Sequence, residues 1–495
     1  MKWRNQKMKK NKIISIVCAI SLSMGLLSGC GNDVQTSSES DKINLRFSFW
    51  EPSTGKEMET ALAEICDSYE ADHPNVEIEL LPQAVSGYQD WIKAQMAVND
   101  LPEIEINYAP NLISQYESGA VVNIKDALNA PNPYNNNTIW SETFIDGSLD
   151  GAHEYRVEPE FNIPLFRTGI AMFYNKTMYD ELGLSIPNNW NEFIENCKKI
   201  DEAGEVPIAF MGQKDDALNW LYWELIGGLS LERWLADDKL NYNGDEYLST
   251  NEITKAVATG DYNIATDKAY QEDFEKFIEY VKEYLQYAPN ASGLDESAAK
   301  TLFLSGKAAH INSGSWDIVG LLNNEEVDFE AAVFPYPHLT KENSEYAGKG
   351  ISNNCVQTVA ITSSVNKQEG AKEAATDFLM YLTAPEQYKK FVDNTIQIPS
   401  IKDVDTDPVF DAFMEEGFPL CSLYLYGSDS AGRTMKEVYK AVVAGNNIEL
   451  NDALFEEIQR SNEAGAQKTM ENREWTEENN FKIDSLPIVG GKFQE

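Results

Sequence analysis

The first regular pattern in the chain is INLRFSFW, where Ile43, Leu45, Phe47 and Phe49 alternate with Asn44, Arg46 and Ser48. A period of two predicts a strand with at least one buried face. Trp50, Glu51, Pro52, Ser53, Thr54 and Gly55 follow, turn chemistry with a large aromatic beside a carboxylate. Met58, Leu62, Ile65, Cys66 and Tyr69 then recur at spacings of three and four, the apolar stripe of a helix that Pro74 and Asn75 stop. Val76, Ile78 and Leu80 alternate again. Strand, helix and strand in this order predict a βαβ unit, whose strands normally run parallel.

Further along, residues 88–98 read as a helix, and EIEINY at 103–108 as a third strand. In open α/β sheets ligands sit beyond the carboxyl ends of the strands. Trp50 and Glu51 stand there on the first strand, Asn107 and Tyr108 on the third. A helix near 112–118 ends at Gly119. Residues 130–150 are rich in Asn and Pro and read as a surface loop, in which Trp140 has no assigned role. Trp190 opens a helix and reads as packing against it. Trp220, Tyr222 and Trp223 fall on another helix that follows a strand end, so Trp220 is a candidate to face a cleft. Residues 231–267 are polar and poorly patterned and read as an insertion; 274–285 form an amphipathic helix. FLSGKAA at 303–309 leads into a strand that ends Ser313-Gly314-Ser315-Trp316-Asp317. A strand after the glycine-rich 348–350 and a helix over 369–382 complete the readable part.

The order of these motifs resembles the family 1 extracellular solute-binding proteins, sugar-capturing partners of ABC importers in the maltose-binding protein group. The resemblance rests on the opening strand with Trp50-Glu51 and on Pro102-Glu103, where the family has Asp. It rests also on Gly119-Ala120-Val121-Val122, the crossing strand FNIPLFRTGIAMFYNK at 161–176, and Leu182-Gly183-Leu184 with PNNWNEF. Gly306-Lys307-Ala308-Ala309 with Gly314-Ser315-Trp316, Leu382-Thr383-Ala384-Pro385-Glu386-Gln387 and Ile398-Pro399-Ser400 complete it. It spans residues 43–128 and 160–400 and is weak beyond 401.

What the resemblance implies is an α/β, two-lobed, periplasmic-binding-protein-like fold with a ligand cleft between lobes joined by a multi-strand hinge. Residues 44–160 and 345–398 would form lobe 1, and 161–344 and 399–495 lobe 2. Crossings are expected near 161–166 and 397–400, with a third near 346–350. The implied role is capture of a sugar, an oligosaccharide, by hinge closure and its delivery to the membrane permease subunits. A monomer without cofactor or enzymatic activity is expected. Sugar rings offer apolar C–H faces and pairs of hydroxyls, so aromatic rings and hydrogen-bonding side chains are the chemistry required. Trp50, Trp220 and Trp316 are the stacking candidates; Glu51, Asn107 and Asp317 the hydrogen-bonding ones; Tyr108 can do either.

The net charge of the 495-residue chain is −40, although Lys2, Arg4, Lys7, Lys9, Lys10 and Lys12 make its start basic. Such acidity excludes nucleic acid as a partner and disfavours anionic ligands, while admitting neutral sugars or cations. The basic start, an apolar run over 13–29 and Leu27-Ser28-Gly29-Cys30 resemble a lipoprotein signal peptide with its lipobox. That implies cleavage before Cys30, lipidation such as palmitate there, and anchorage on the outer face of the cytoplasmic membrane. Residues 30–43 would be a flexible tether. Cys66, Cys197, Cys355 and Cys421 then remain without a CxxC, so a zinc site is not expected, and Cys66 reads as a buried thiol.

Other chemistry is set aside. Gly427 to Thr434 has the spacing of a phosphate loop, but Arg433 replaces the lysine. Neither the Asn241, Asn243, Gly244 stretch nor Asp403, Asp405 and Asp407 matches a calcium loop, and no metal site is assigned. His73, His153, His310 and His338 form no HExxH, and no GxSxG occurs. A secreted carbohydrate-active enzyme with a carboxylate pair is the alternative reading, as is binding of a peptide or polyamine.

Overall fold

The computed structural model describes residues 42–51, 56–145, 149, 161–322, 324, 327–347, 355–414, 427–428 and 430–485. The stretch read as a signal peptide, Cys30 and the expected tether up to residue 41, the turn 52–55, His153, the third expected crossing at 348–350 and Cys421 lie outside them. Among the described residues no helix is long and apolar enough to cross a membrane.

Two α/β lobes are each built on one sheet. The first sheet has the order β2-β1-β3-β9-β4, from β1 (Ile43–Glu51), β2 (Val76–Ala84), β3 (Ile104–Tyr108), β4 (Asn162–Thr168) and β9 (Cys355–Ile361). β1 runs parallel to both β2 and β3, as the βαβ pattern requires, with Ile43 opposite Val76 and Glu51 opposite Ala84. β9 runs antiparallel between β3 and β4. The second sheet has the order β6-β7-β5-β8, from β5 (Ile170–Asn175), β6 (Val206–Ile208), β7 (Ala308–Gly314) and β8 (Ala331–Pro335).

Alternation in β1 sends Leu45, Phe47 and Phe49 into the first core, against the buried stripe Met58, Leu62, Ile65 and Tyr69 of the helix Glu57–Asp72. Cys66 lies on that stripe as a free thiol, and burial pushes its pKa up. A second core gathers β5, β7 and the helices around them. Trp190 is buried there, its indole N–H donating to Glu283 at 2.8 Å, as its position predicts.

The crossing between the lobes differs from expectation by a few residues. β4 belongs wholly to the first sheet and β5 to the second, so the chain changes sheet at Gly169 rather than at 161–166. The physical reason is close packing: a Cβ on Gly169 would stand 2.4 Å from the carbonyl oxygen of Phe413, so only glycine fits. Residues 398–402 stay bonded to first-lobe elements, with Arg167 N–H donating to the Ile398 carbonyl at 2.8 Å, Ile145 N–H to that of Ser400 at 2.9 Å and Lys402 N–H to that of Thr143 at 2.9 Å. Ile401 is buried in the first core, and the chain next enters the second core at Phe410 and Phe413.

Residues 231–267, read as an insertion, are built into the second lobe despite their polar composition. Leu231, Trp234, Leu235, Leu240, Ile253, Val257, Tyr262 and Ile264 are buried in the second core. The helix Thr250–Thr259, started by a capping box between Ser249 and Glu252, packs on the helix Asp452–Arg473. The two stretches that least resemble the family thus complete each other. Residues 130–150 are more than a loop, because Trp140 is fully buried in the first core, its indole N–H donating to Thr383 Oγ1 at 2.8 Å.

Candidate functional site

The carboxyl ends of β1 and β3 open on a cavity of about 560 Å³ that both lobes line. From the first lobe come Trp50, Tyr108, Phe166, Thr168 and Gln357; from the second come Lys214, Trp220, Trp223, Glu296, Lys300, Trp316 and Asp317. Gln397, from the returning segment, completes the wall. Five of the seven residues singled out from sequence, Trp50, Tyr108, Trp220, Trp316 and Asp317, are thus brought together. Two other hollows of about 610 and 530 Å³ lie at the opposite ends of the sheets, the first beside Arg46 and Glu103 and the second beside Met178 and Glu205, and neither carries a pair of aromatic rings.

The aromatic side chains form two pairs. Trp50 stacks on Tyr108 with centroids 4.9 Å apart at 23°, and is braced from behind by the edge of Tyr88 at 5.2 Å. Trp50 is 7% exposed and Tyr108 38%, so the tyrosine is the ring that reaches solvent. On the facing wall Trp220 and Trp316 lie 5.8 Å apart at 52°. Trp220 is buried in the helix Asp215–Ile226, whereas Trp316 is half-buried in the single turn after β7. Gly314, two residues earlier, leaves room for this arrangement: a Cβ there would stand 2.2 Å from the Trp316 ring, which folds back over the bare backbone and would have to move.

A chain of alternating charges runs beneath these rings. Lys214 Nζ donates to Glu296 at 2.6 Å; Lys300 Nζ donates to Glu296 and to Asp317, both at 2.8 Å; Ser313 Oγ donates to Asp317 at 2.5 Å. Lys214 also lies 5.6 Å from the Trp220 ring centroid, close enough for a cation–π contact. Burial alone would lower the Lys300 ammonium, but Asp317 and Glu296 more than offset it and hold it above its ordinary value. Burial would likewise raise Glu296, yet Lys214 and Lys300 hold it below the usual carboxylate range. With Asp216, which also lines the cavity, this wall carries three carboxylates against two cations, a surplus of a single negative charge inside a strongly acidic chain.

Glu51 and Asn107 are not among the lining residues. Glu51 accepts the N–H groups of Met58 at 3.3 Å and Glu59 at 3.0 Å, satisfying free donors at the start of the helix Glu57–Asp72. Asn107 is fully buried, its Oδ1 accepting from Gln89 at 2.9 Å and from Asn111 at 3.1 Å, its Nδ2 donating to Glu105 at 3.1 Å. Both follow from the strand period: Trp50 and Tyr108 turn toward the cavity, so the neighbour of each points to the other face. Lys214, Glu296, Lys300, Trp223, Gln357 and Gln397 were not singled out from sequence. Only Glu296 and Lys300 carried a signal, four residues apart on one helix.

Glu105 is completely buried beside Asn107 and Tyr88, and that burial raises its carboxyl pKa to about 7. Unfolded, it titrates at about 4.3. Between those values the folded protein holds a proton that the unfolded chain has released, so this group's contribution to stability falls as pH rises from about 4 to 7. Glu105→Gln should remove that dependence and raise stability at pH 8 by about 1–3 kcal/mol, with little change at pH 4. Urea unfolding of both forms at the two pH values checks this; equal differences between them at both would contradict it.

Among the described residues no cluster of His, Cys, Asp or Glu could hold a metal ion. Asn241 spends its amide N–H groups on the carbonyls of Leu235 and Asp245, both at 2.7 Å, which is not how a calcium ligand points. Arg433 pairs with Glu457 at 2.9 Å, and Thr434 caps the helix Met435–Val443, so the loop near 430 has a structural task.

Two α/β lobes with separate cores, linked by crossing strands and enclosing an aromatic cavity at their junction, define a two-lobed binding-protein fold. The chain belongs to the bacterial extracellular solute-binding protein family, whose model matches residues 51–389. It is 23% identical over 401 residues to the multiple sugar-binding protein of Streptococcus mutans serotype c, covering 81% of this chain and 85% of that protein. Among solved structures it is similar to a chitin oligosaccharide binding protein, with a TM-score of 0.63, 18% identity and coverage of 86% of this chain and 100% of that one. It is also similar to RafE in complex with raffinose, with a TM-score of 0.57, 19% identity and coverage of 85% of this chain and 99% of that one.

Proposed function

We propose that this protein is the sugar-capturing component of an ABC importer, exported and lipid-anchored at Cys30, which takes up an oligosaccharide between its lobes and delivers it to the membrane permease. The observation that carries the reading is the cavity itself, with Tyr108 on one wall and Trp316 on the other. Two aromatic faces of this kind cover the C–H faces of sugar rings, while Asp317, Lys300 and the glutamines serve hydroxyls. The single surplus carboxylate on the wall disfavours an anionic ligand. The names of the relatives point the same way, towards multiple sugars, chitin oligosaccharide and raffinose. Closure about the crossing at Gly169 would couple occupancy to docking on the permease.

Binding is favoured over glycoside hydrolysis by the state of the cavity carboxylates. A general acid needs a raised pKa. Glu296 is held low, and both it and Asp317 are tied to Lys300.

A thermal-shift screen against raffinose, chitin oligosaccharides, peptides and polyamines tests the reading. At ligand concentrations of about 100 times the dissociation constant, binding adds ~2.7 kcal/mol, which moves the unfolding midpoint visibly. A shift with a peptide or polyamine and none with any sugar would sink it.

A further inference from the structure

Gln397 stands where two hollows meet. It lines the aromatic cavity and also a small one of about 20 Å³, shared with Glu51, Met58, Trp316 and Ile396. Its side chain is buried, with 4% of its surface exposed. The amide Nε2 donates to the Thr395 carbonyl at 3.3 Å, but Oε1 is shut off from solvent with no hydrogen-bond partner among the described residues. Such an orphan acceptor is costly and calls for an explanation.

The backbone on both sides is fixed, so the orphan does not come from a loose segment. Ile396 closes the helix Pro385–Thr395 with its N–H donating to Val392 at 2.9 Å. It does so at φ +52° and ψ 55°, a left-handed conformation that a β-branched residue seldom adopts. Strain of this kind gathers where the chain is held for a task. One residue beyond Gln397, Ile398 is bonded to Arg167 of β4, and Arg167 Nε also donates to the Pro399 carbonyl at 2.8 Å.

The wall from the second lobe holds the complementary orphan. Trp223 lines the cavity, and its indole Nε1 is buried with no hydrogen-bond partner among the described residues. An acceptor and a donor are therefore both waiting. A polyamine ammonium would serve Gln397 and leave Trp223 unmet. A lone carboxylate would serve Trp223 and leave Gln397 unmet, whereas a peptide backbone, with both N–H and C=O groups, would serve both. Hydroxyl groups donate and accept, and satisfy both.

We propose that Gln397 is a specificity-determining residue, its Oε1 accepting a hydrogen bond from one hydroxyl of a neutral carbohydrate, with Trp223 Nε1 donating to another oxygen of the same ligand. This rests on the sugar-binding reading and adds the residues that select among sugars. A site built to bond a hydroxyl rejects the analogue that lacks it, because the buried acceptor is left unpaired.

The experiment is calorimetric titration of the wild type, Gln397→Leu and Gln397→Glu with raffinose and chitin oligosaccharides, then with single-deoxy analogues of whichever sugar the wild type binds. Gln397→Leu should bind about 10–100-fold more weakly. Gln397→Glu keeps an acceptor but loses the donor to Thr395, and should retain most of the affinity. One deoxy analogue should be penalised on the wild type and carry no penalty on Gln397→Leu. Equal affinity of Gln397→Leu and wild type would overturn the assignment and leave a water in the small cavity as the partner of Oε1. Equal loss in Gln397→Glu and Gln397→Leu would also overturn it, since the bond to Thr395 would then be what matters. A wild type that binds no sugar removes the sugar-binding reading itself, a different result from a wild type that binds and a Gln397→Leu that binds equally well.

Discussion

Trp316→Ala should weaken sugar binding by ~1–3 kcal/mol, about ten- to a hundredfold, while lowering the stability of the ligand-free protein by only about 1–2 kcal/mol. The ring is half-buried and rests on the bare backbone of Gly314, with the edge of Trp220 behind it. Its removal exposes limited apolar area and leaves the buried Trp220 in place. A ring that filled a core would instead cost ~3–5 kcal/mol of folding stability. Affinity by calorimetry and urea unfolding without ligand separate the two. A variant that binds normally and unfolds much earlier would place Trp316 in the packing of the second lobe and outside the site.

The largest loss of stability should come from a residue far from the cavity. Trp140→Ala is expected to cost ~3–5 kcal/mol, because the indole is fully buried in the first core and its removal takes a large apolar volume out of it. The change also deletes the bond from its N–H to Thr383, 2.8 Å long. Domains are stable by only ~5–15 kcal/mol, so the first lobe should be markedly weakened. Where the variant remains folded, its sugar affinity should be unchanged. Urea unfolding followed by near-ultraviolet circular dichroism measures the effect. A midpoint like that of the wild type would mean that the 130–150 segment does not anchor the lobe.

These two tryptophans mark what the sequence makes legible. Trp316 sits in a local motif, a strand ending in Gly-Ser-Trp-Asp, and its place at a strand end follows from chain order alone. Trp140 sits among Asn and Pro with no apolar period around it, and its partner Thr383 lies 243 positions away. Burial of that kind is a tertiary fact with no local trace. The same holds for 231–267, whose buried residues are scattered over short helices and lean on the carboxyl-terminal helix. The first strands and their helix were legible because residues 43–80 keep periods of two and of three to four without interruption.

Within the site, alternation along each strand decides which residues face the cavity. Adjacent strand residues face opposite ways, so Trp50 with Glu51, and Asn107 with Tyr108, could not both line one cavity. Lys300 is different. Its pairing with Glu296 is written in the helix, but its bond to Asp317 exists only once that helix docks beside β7. Gln397 had no signal beyond its place before Ile398-Pro399, where the chain was expected to return between lobes.

The most direct test of the central claim is a crystal structure of the protein with a bound oligosaccharide, raffinose or a chitin oligosaccharide, whichever gives the larger thermal shift. The account predicts a sugar ring lying flat on Trp316, a second contact on Tyr108, and hydroxyls bonded to Asp317 and Gln397. A sugar found instead in the hollow beside Arg46 and Lys367, with the aromatic cavity empty, would contradict it.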